Sequence, residues 1–116
     1  MNYEVRLTDT LQKSLKILKK KFPRIKEDLL PIVQSLEKEP FWGERIPGWK
    51  GEIWKIRVKS SDLQKGKSGG FRLIYRWKEK EKEVFLLTVY FKSDKPDISG
   101  AEIEDILKKL NNELEK

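Results

Sequence analysis

The chain begins on an alternation of apolar and polar side chains. Tyr3, Val5 and Leu7 alternate with Glu4 and Arg6, a period of two that predicts a short half-buried strand. Thr8 or Asp9 stands where a helix cap belongs, with Gln12 three residues beyond Asp9 in capping-box position. The period then becomes helical. Leu11, Leu15, Leu18 and Phe22 form an apolar stripe, and Lys13, Lys16, Lys19, Lys20 and Lys21 lie around the rest. Pro23 separates this helix from a second, striped by Ile25, Leu29, Ile32, Val33 and Leu36. Pro31 falls inside that pattern and is expected to kink or divide it, because proline has no amide to donate and crowds the preceding turn. The pair reads as a helical hairpin.

From Glu39 to Glu52 the chain is irregular, punctuated by Pro40, Gly43, Pro47, Gly48 and Gly51. Ile53 to Lys59 returns to a period of two, with Trp54, Ile56 and Val58 on one face and Lys55, Arg57 and Lys59 on the other. The connection Ser60 to Gly70 (SSDLQKGKSGG) leads into Phe71 to Trp77. There Phe71, Leu73, Tyr75 and Trp77 oppose Arg72, Ile74 and Arg76. Lys78 to Glu83 is a charged turn, and Val84 to Phe91 is apolar almost throughout, as an interior strand would be. Ser99 and Glu102 complete a capping box for a last helix striped by Ile103, Ile106, Leu107, Leu110 and Leu114. The order β-α-α-β-β-β-α predicts an α+β fold in one domain over residues 1–116. A mainly antiparallel four-stranded sheet would carry one layer of helices, the hairpin plus the C-terminal helix.

Composition narrows the chemistry. In 116 residues, 26 lysines and arginines face 19 acidic residues, a net charge of +7. Twelve aromatic residues (four Trp, five Phe, three Tyr) argue for a packed core. The charge suits a polyanion, either nucleic acid or an acidic protein covering the same surface. Cysteine and histidine are both absent. Disulfides, thiolate nucleophiles, His-based triads and the usual transition-metal ligand sets are therefore excluded, and neither a metal nor a small-molecule cofactor is expected. No apolar run approaches the ~20 residues of a membrane span. The expected location is the cytoplasm, with no membrane partner.

No phosphate-binding loop or dinucleotide fingerprint is present; Gly66, Gly69 and Gly70 precede a strand, not a helix. The stronger signal is the set of cations on the two strands: Lys55, Arg57 and Lys59 on one, Arg72 and Arg76 on the next. With the helices covering the opposite side, these five are expected together on an open face. Like charges on neighbouring strands repel, so their concentration points to a polyanion. Lys65 and Lys67 would extend the patch along a backbone. Trp77 and Phe91 read as core, while Tyr90 is open to either role because its hydroxyl needs a partner if buried. Such a face suits RNA cleavage by the adjacent 2′-hydroxyl, in which arginine stabilises the charge on phosphorus. Without histidine, proton transfer falls to Tyr, Glu or Lys.

GFRLIYRW at Gly70 to Trp77, LLTVYFKSDKPDIS at Leu86 to Ser99 and PFWGERIPGWKGEIWKIRV at Pro40 to Val58 resemble, in that combination and after a helical hairpin, the RelE/ParE family of toxins from type II toxin–antitoxin modules. The resemblance implies a metal-independent, ribosome-dependent mRNA endonuclease held inactive by a cognate acidic antitoxin, with mRNA and the ribosome as its other partners. It implies that Arg72 contacts the scissile phosphate, and that Arg57, Lys59, Lys65 and Lys67 contribute by position. A catalytic Tyr or His at or after the end of the last strand corresponds to Tyr90 or Lys92. The absence of histidine departs from relatives that use one, and the Glu of some relatives has only Glu44 and Glu52 nearby. The family also contains inhibitors of DNA gyrase, which leaves a ParE-like inhibitor as the alternative, and a non-catalytic RNA-binding module as a third reading.

Overall fold

A computed structural model describes residues 2–63 and 70–115. Strand β1 (Glu4–Leu7) leads directly into α1 (Asp9–Lys19). Thr8 is the cap, not Asp9: its hydroxyl accepts from the Leu11 amide at 3.2 Å and donates to the Leu86 carbonyl at 2.8 Å. That second bond ties the helix to the sheet and satisfies a hydroxyl that is itself buried. Helix α2 (Ile25–Lys38) runs through Pro31 as one helix, so of the expected kink or division the division does not occur. Pro31 and Glu27 are both exposed, so water can serve the Glu27 carbonyl that has no amide to accept from four residues on. A single 3-10 turn, Pro40–Trp42, follows.

The sheet has five strands, not four. The addition is β2 (Glu44–Arg45), two residues long inside the stretch whose prolines and glycines read as irregular. The others are β3 (Ile53–Val58), β4 (Phe71–Lys78) and β5 (Glu83–Phe91), in the order β1-β5-β4-β3-β2. All neighbours are antiparallel except β1 and β5, which run parallel. Helix α3 (Gly100–Leu114) carries the expected capping box, with Ser99 and Glu102 bonded to each other's amides.

The alternation in β3 and β4 holds residue by residue. Val58, Phe71, Leu73 and Tyr75 pack under α1 and α2 with Leu11, Leu15, Ile25, Leu29 and Leu36, while Trp54, Ile56 and Trp77 border that cluster. Each large aliphatic side chain buried there contributes about 1.5–3 kcal/mol. The single helical layer does not hold. Ile53, Ile74, Phe85, Leu87 and Tyr90 on the other side of the sheet form a second cluster with Ile103 and Leu110 of α3. The hairpin covers one face and α3 part of the other, so the cationic face is only partly open. A register shift opposite Ile74 and Tyr75, which pair with Thr88 and Leu86, leaves Leu87 as the extra residue of a bulge in β5.

Candidate functional site

The register of β3 on β4 sets Arg57 directly opposite Arg72, and the register of β4 on β5 sets Arg72 opposite Tyr90. Three neighbouring strands thus deliver two guanidinium groups and a phenol in one row. Directly opposed side chains on one face have Cβ atoms about 4.5–5.5 Å apart. Arg57 is exposed and Arg72 half-buried. An Arg72 N–H donates to the Phe71 carbonyl at 3.2 Å, which holds the guanidinium at the strand.

Tyr90 is 9% exposed. Burial pushes its phenol pKa up, the charge of Asp97 pushes it further up, and Arg72 opposes both. The phenol therefore keeps its proton and offers it as a donor. The Lys95 ammonium lies 5.9 Å from the centre of its ring, within cation–π range.

The remaining expected cations do not join the row equally. Lys55 shares the face, and its ammonium lies 4.0 Å from an Asp97 carboxylate oxygen. Arg76 sits opposite Ile53, two strand pairs beyond Lys55, where its guanidinium lies 3.7 Å from Glu52. Lys78 reaches the same Glu52 oxygen at 3.9 Å. The five expected cations therefore divide: Arg57 and Arg72 at one end with Tyr90, Arg76 in an acid-paired group at the other, and Lys55 between them. Lys59 lies just past the end of β3 and is exposed. Lys92 follows β5; its amide donates to the Gly70 carbonyl at 3.1 Å and its side chain is half-buried. Lys65 and Lys67 lie outside the described residues.

Two local devices hold this arrangement. Gly70 stands at φ +62°, and a Cβ there would come within 2.5 Å of the Val58 carbonyl oxygen. Only glycine lets β4 begin that close to the end of β3, next to Arg57 and Arg72. On the opposite face the Tyr75 hydroxyl donates to the Pro40 carbonyl at 2.6 Å and accepts the Gly43 amide at 3.0 Å, fixing the approach to β2. Burial pushes the Tyr75 pKa up to about 12.

Sequence reasoning missed Asp97, which comes from the loop between β5 and α3 and reaches Lys55 two strands away. Nothing in its local sequence marks it; only the fold brings it to this face. Glu44 lies opposite Lys55 in the β2 register and so shares the face at its edge. Phe91 is core, 9% exposed, and Trp77 packs between Tyr3 and Trp54 with ring centres 5.8 and 5.7 Å away, as expected. Among the described residues no cluster of His, Cys, Asp or Glu is arranged to hold a metal, and no helix is long and apolar enough to cross a membrane.

The sequence matches no protein-family model. Its structure is similar to that of an arginine-to-alanine double mutant of the E. coli toxin RelE in the free state, with a TM-score of 0.57 and 21% identity over 83% of this chain and 90% of that one. It is also similar to a chain of the RelBE2 toxin–antitoxin complex from Mycobacterium tuberculosis, with a TM-score of 0.55 and 25% identity over 81% of this chain and 95% of that one. The chain has the fold of the RelE toxins.

Proposed function

We propose that this chain is the toxin of a type II toxin–antitoxin pair, acting in the cytoplasm as a metal-independent, ribosome-dependent mRNA endonuclease. The observation that carries the proposal is the row Arg57–Arg72–Tyr90, two opposed cations beside a proton-holding phenol on a RelE-type sheet. Like charges directly opposed on neighbouring strands favour a bound anion. A phosphodiester supplies that anion, and its charge grows as the 2′-oxygen adds to phosphorus. Arg57 and Arg72, always charged and able to donate in pairs, stabilise the developing pentacoordinate phosphate. Tyr90 keeps its proton for the departing oxygen, while Lys55 and Lys59 hold the backbone on either side as point charges. Lys92, at the exit of β5, stands close enough in sequence to Tyr90 to hold the next phosphate.

A chain of +7 charge needs its cationic surface covered when silent, and an acidic antitoxin segment fits that need. The M. tuberculosis neighbour is itself part of a toxin–antitoxin complex. The test is cleavage of an mRNA bound in programmed ribosomes, with 5′ ends mapped. Wild-type protein should cut without added metal and in the presence of chelator. Arg72→Ala should lower the rate by roughly 100- to 1000-fold, the cost of removing one preorganised donor to a developing oxyanion, with an unchanged melting curve. Inhibition of gyrase supercoiling without RNA cleavage would overturn the endonuclease reading in favour of a ParE-like inhibitor. RNA binding without cleavage would leave only a binding module.

A further inference from the structure

The loop from residue 92 to residue 99 links β5 to α3, and its contacts hold it against the cationic face. Lys95 is ion-paired with Glu102 in the first turn of α3 while its ammonium covers the Tyr90 ring. Glu102 is also engaged in the Ser99 capping box. Ile98 packs into the cluster built on Ile53, Ile74 and Phe85. Asp97 stands between these two anchors, after Pro96, so its backbone is fixed on both sides. One carboxylate oxygen accepts the Ile98 amide at 2.8 Å and lies 4.0 Å from the Lys55 ammonium. The side chain is nevertheless 73% exposed, open to a substrate arriving from solvent. A carboxylate held on a face of Lys55, Arg57 and Arg72, yet left accessible, is arranged for more than neutralising charge.

We propose that Asp97 is the general base of the cut and Tyr90 its general acid, both working on the phosphate held by Arg57 and Arg72. The inference rests on the endonuclease reading above. In the step, the Asp97 carboxylate takes the proton of the 2′-hydroxyl as the 2′-oxygen bonds to phosphorus. The bond from phosphorus to the 5′-oxygen breaks, and that oxygen takes the proton of the Tyr90 phenol. The products are a 2′,3′-cyclic phosphate and a 5′-hydroxyl. Proton exchange with solvent returns Asp97 to carboxylate and Tyr90 to phenol, and no electron changes hands. Arg72 stands opposite Tyr90 in the strand register, Lys95 of the same loop covers the Tyr90 ring, and Asp97 two residues on reaches Lys55 across the face, which brings the three groups to one part of the sheet. The opposed effects of Asp97 and Arg72 on the Tyr90 proton agree with that placement. Glu44 is the competing carboxylate, but β2 lies three strands from β5, roughly 14 Å at the usual strand spacing. A base there is too far from Tyr90 for both to serve one phosphorus.

The experiment compares wild type, Asp97→Asn, Tyr90→Phe and Glu44→Gln on ribosome-bound RNA carrying either an ordinary 5′-oxygen or a sulfur at the scissile position. A sulfur leaving group departs without being protonated. Asp97→Asn keeps the acceptor for Ile98 and should cut both RNAs about 100-fold or more slowly, with unchanged ribosome affinity and melting temperature. Tyr90→Phe should be as slow on ordinary RNA but close to wild type on the sulfur substrate. Glu44→Gln should stay within a few-fold of wild type. Wild-type cutting rates from Asp97→Asn, faster cutting with tighter binding, sulfur rescue of Asp97→Asn, or loss in Glu44→Gln alone would each overturn the assignment while leaving the endonuclease reading intact. Absence of cutting by the wild type overturns both.

Discussion

At the scale of single residues, tyrosines show how one side-chain type takes different work from its surroundings. Tyr75 is fully buried and spends its hydroxyl on Pro40 and Gly43, which makes it an anchor for the chain leading to β2. Tyr75→Phe keeps the ring but leaves a carbonyl and an amide unpaired, and is expected to cost about 1–3 kcal/mol in denaturant unfolding. Its pKa, pushed up to about 12, adds a signature in pH. The folded chain holds this proton more tightly than the unfolded one, for which the ordinary value is about 10. The stabilisation is therefore complete below about pH 10 and is lost as pH rises from there towards 12. Wild-type stability should fall steeply over that window, and Tyr75→Phe should flatten the fall. An unchanged alkaline slope in the variant would remove Tyr75 from that role. The Tyr90 ring packs with Ile103 and Leu110 of α3, while Asp97 and Arg72 act on its proton in opposite senses. Sequence alone left both roles open for Tyr90, because burial of a ring does not say where its oxygen points.

Elements were legible where a periodic pattern met a single surface. The faces of β3 and β4 could be written from alternation alone, and register then turned a list of cations into the Arg57–Arg72–Tyr90 row. Register is a property of two strands, so no reading of either segment could have separated Arg76 from Arg57. The two-sided covering of the sheet was available in principle: Val84 to Phe91 is apolar on both faces, which an open face would not require. The stripe of α3, however, fits either face equally well. Pro31 does not divide α2, because the exposed side of a helix tolerates a lost bond. The start of β4 tests how much geometry matters apart from chemistry. Gly70→Ala adds one methyl 2.5 Å from the Val58 carbonyl at a φ of +62°. It should destabilise the protein by about 1–3 kcal/mol and slow RNA cutting although no functional group is removed, as read by melting and by the ribosome assay. The cap of α3 predicts a smaller effect. Ser99→Ala should cost about 1 kcal/mol and, by loosening Glu102 and so Lys95, should also reduce cutting more than it reduces stability.

At the scale of the whole molecule, the +7 charge matters through how it is distributed. Had every cation faced the substrate, each would release a counterion on binding RNA, and each removal would flatten the dependence of affinity on salt by about 0.7 in a logarithmic plot for a single strand. The structure divides the cations differently. Arg57 is exposed beside Arg72, whereas Arg76 lies 3.7 Å from Glu52, which also holds Lys78. A pair that is already closed releases little when RNA arrives. Arg57→Ala should therefore weaken RNA binding and lower the salt slope by close to the full increment, while Arg76→Ala, which frees an acid as it removes a base, should change the slope far less. Titrations of RNA binding at several salt concentrations, run on both variants beside wild type, read the two slopes directly. Equal slope changes would mean that Arg76 leaves Glu52 to meet the RNA and that the binding surface extends over α3. Unequal changes confine it to the end of the sheet where the two arginines and Tyr90 stand.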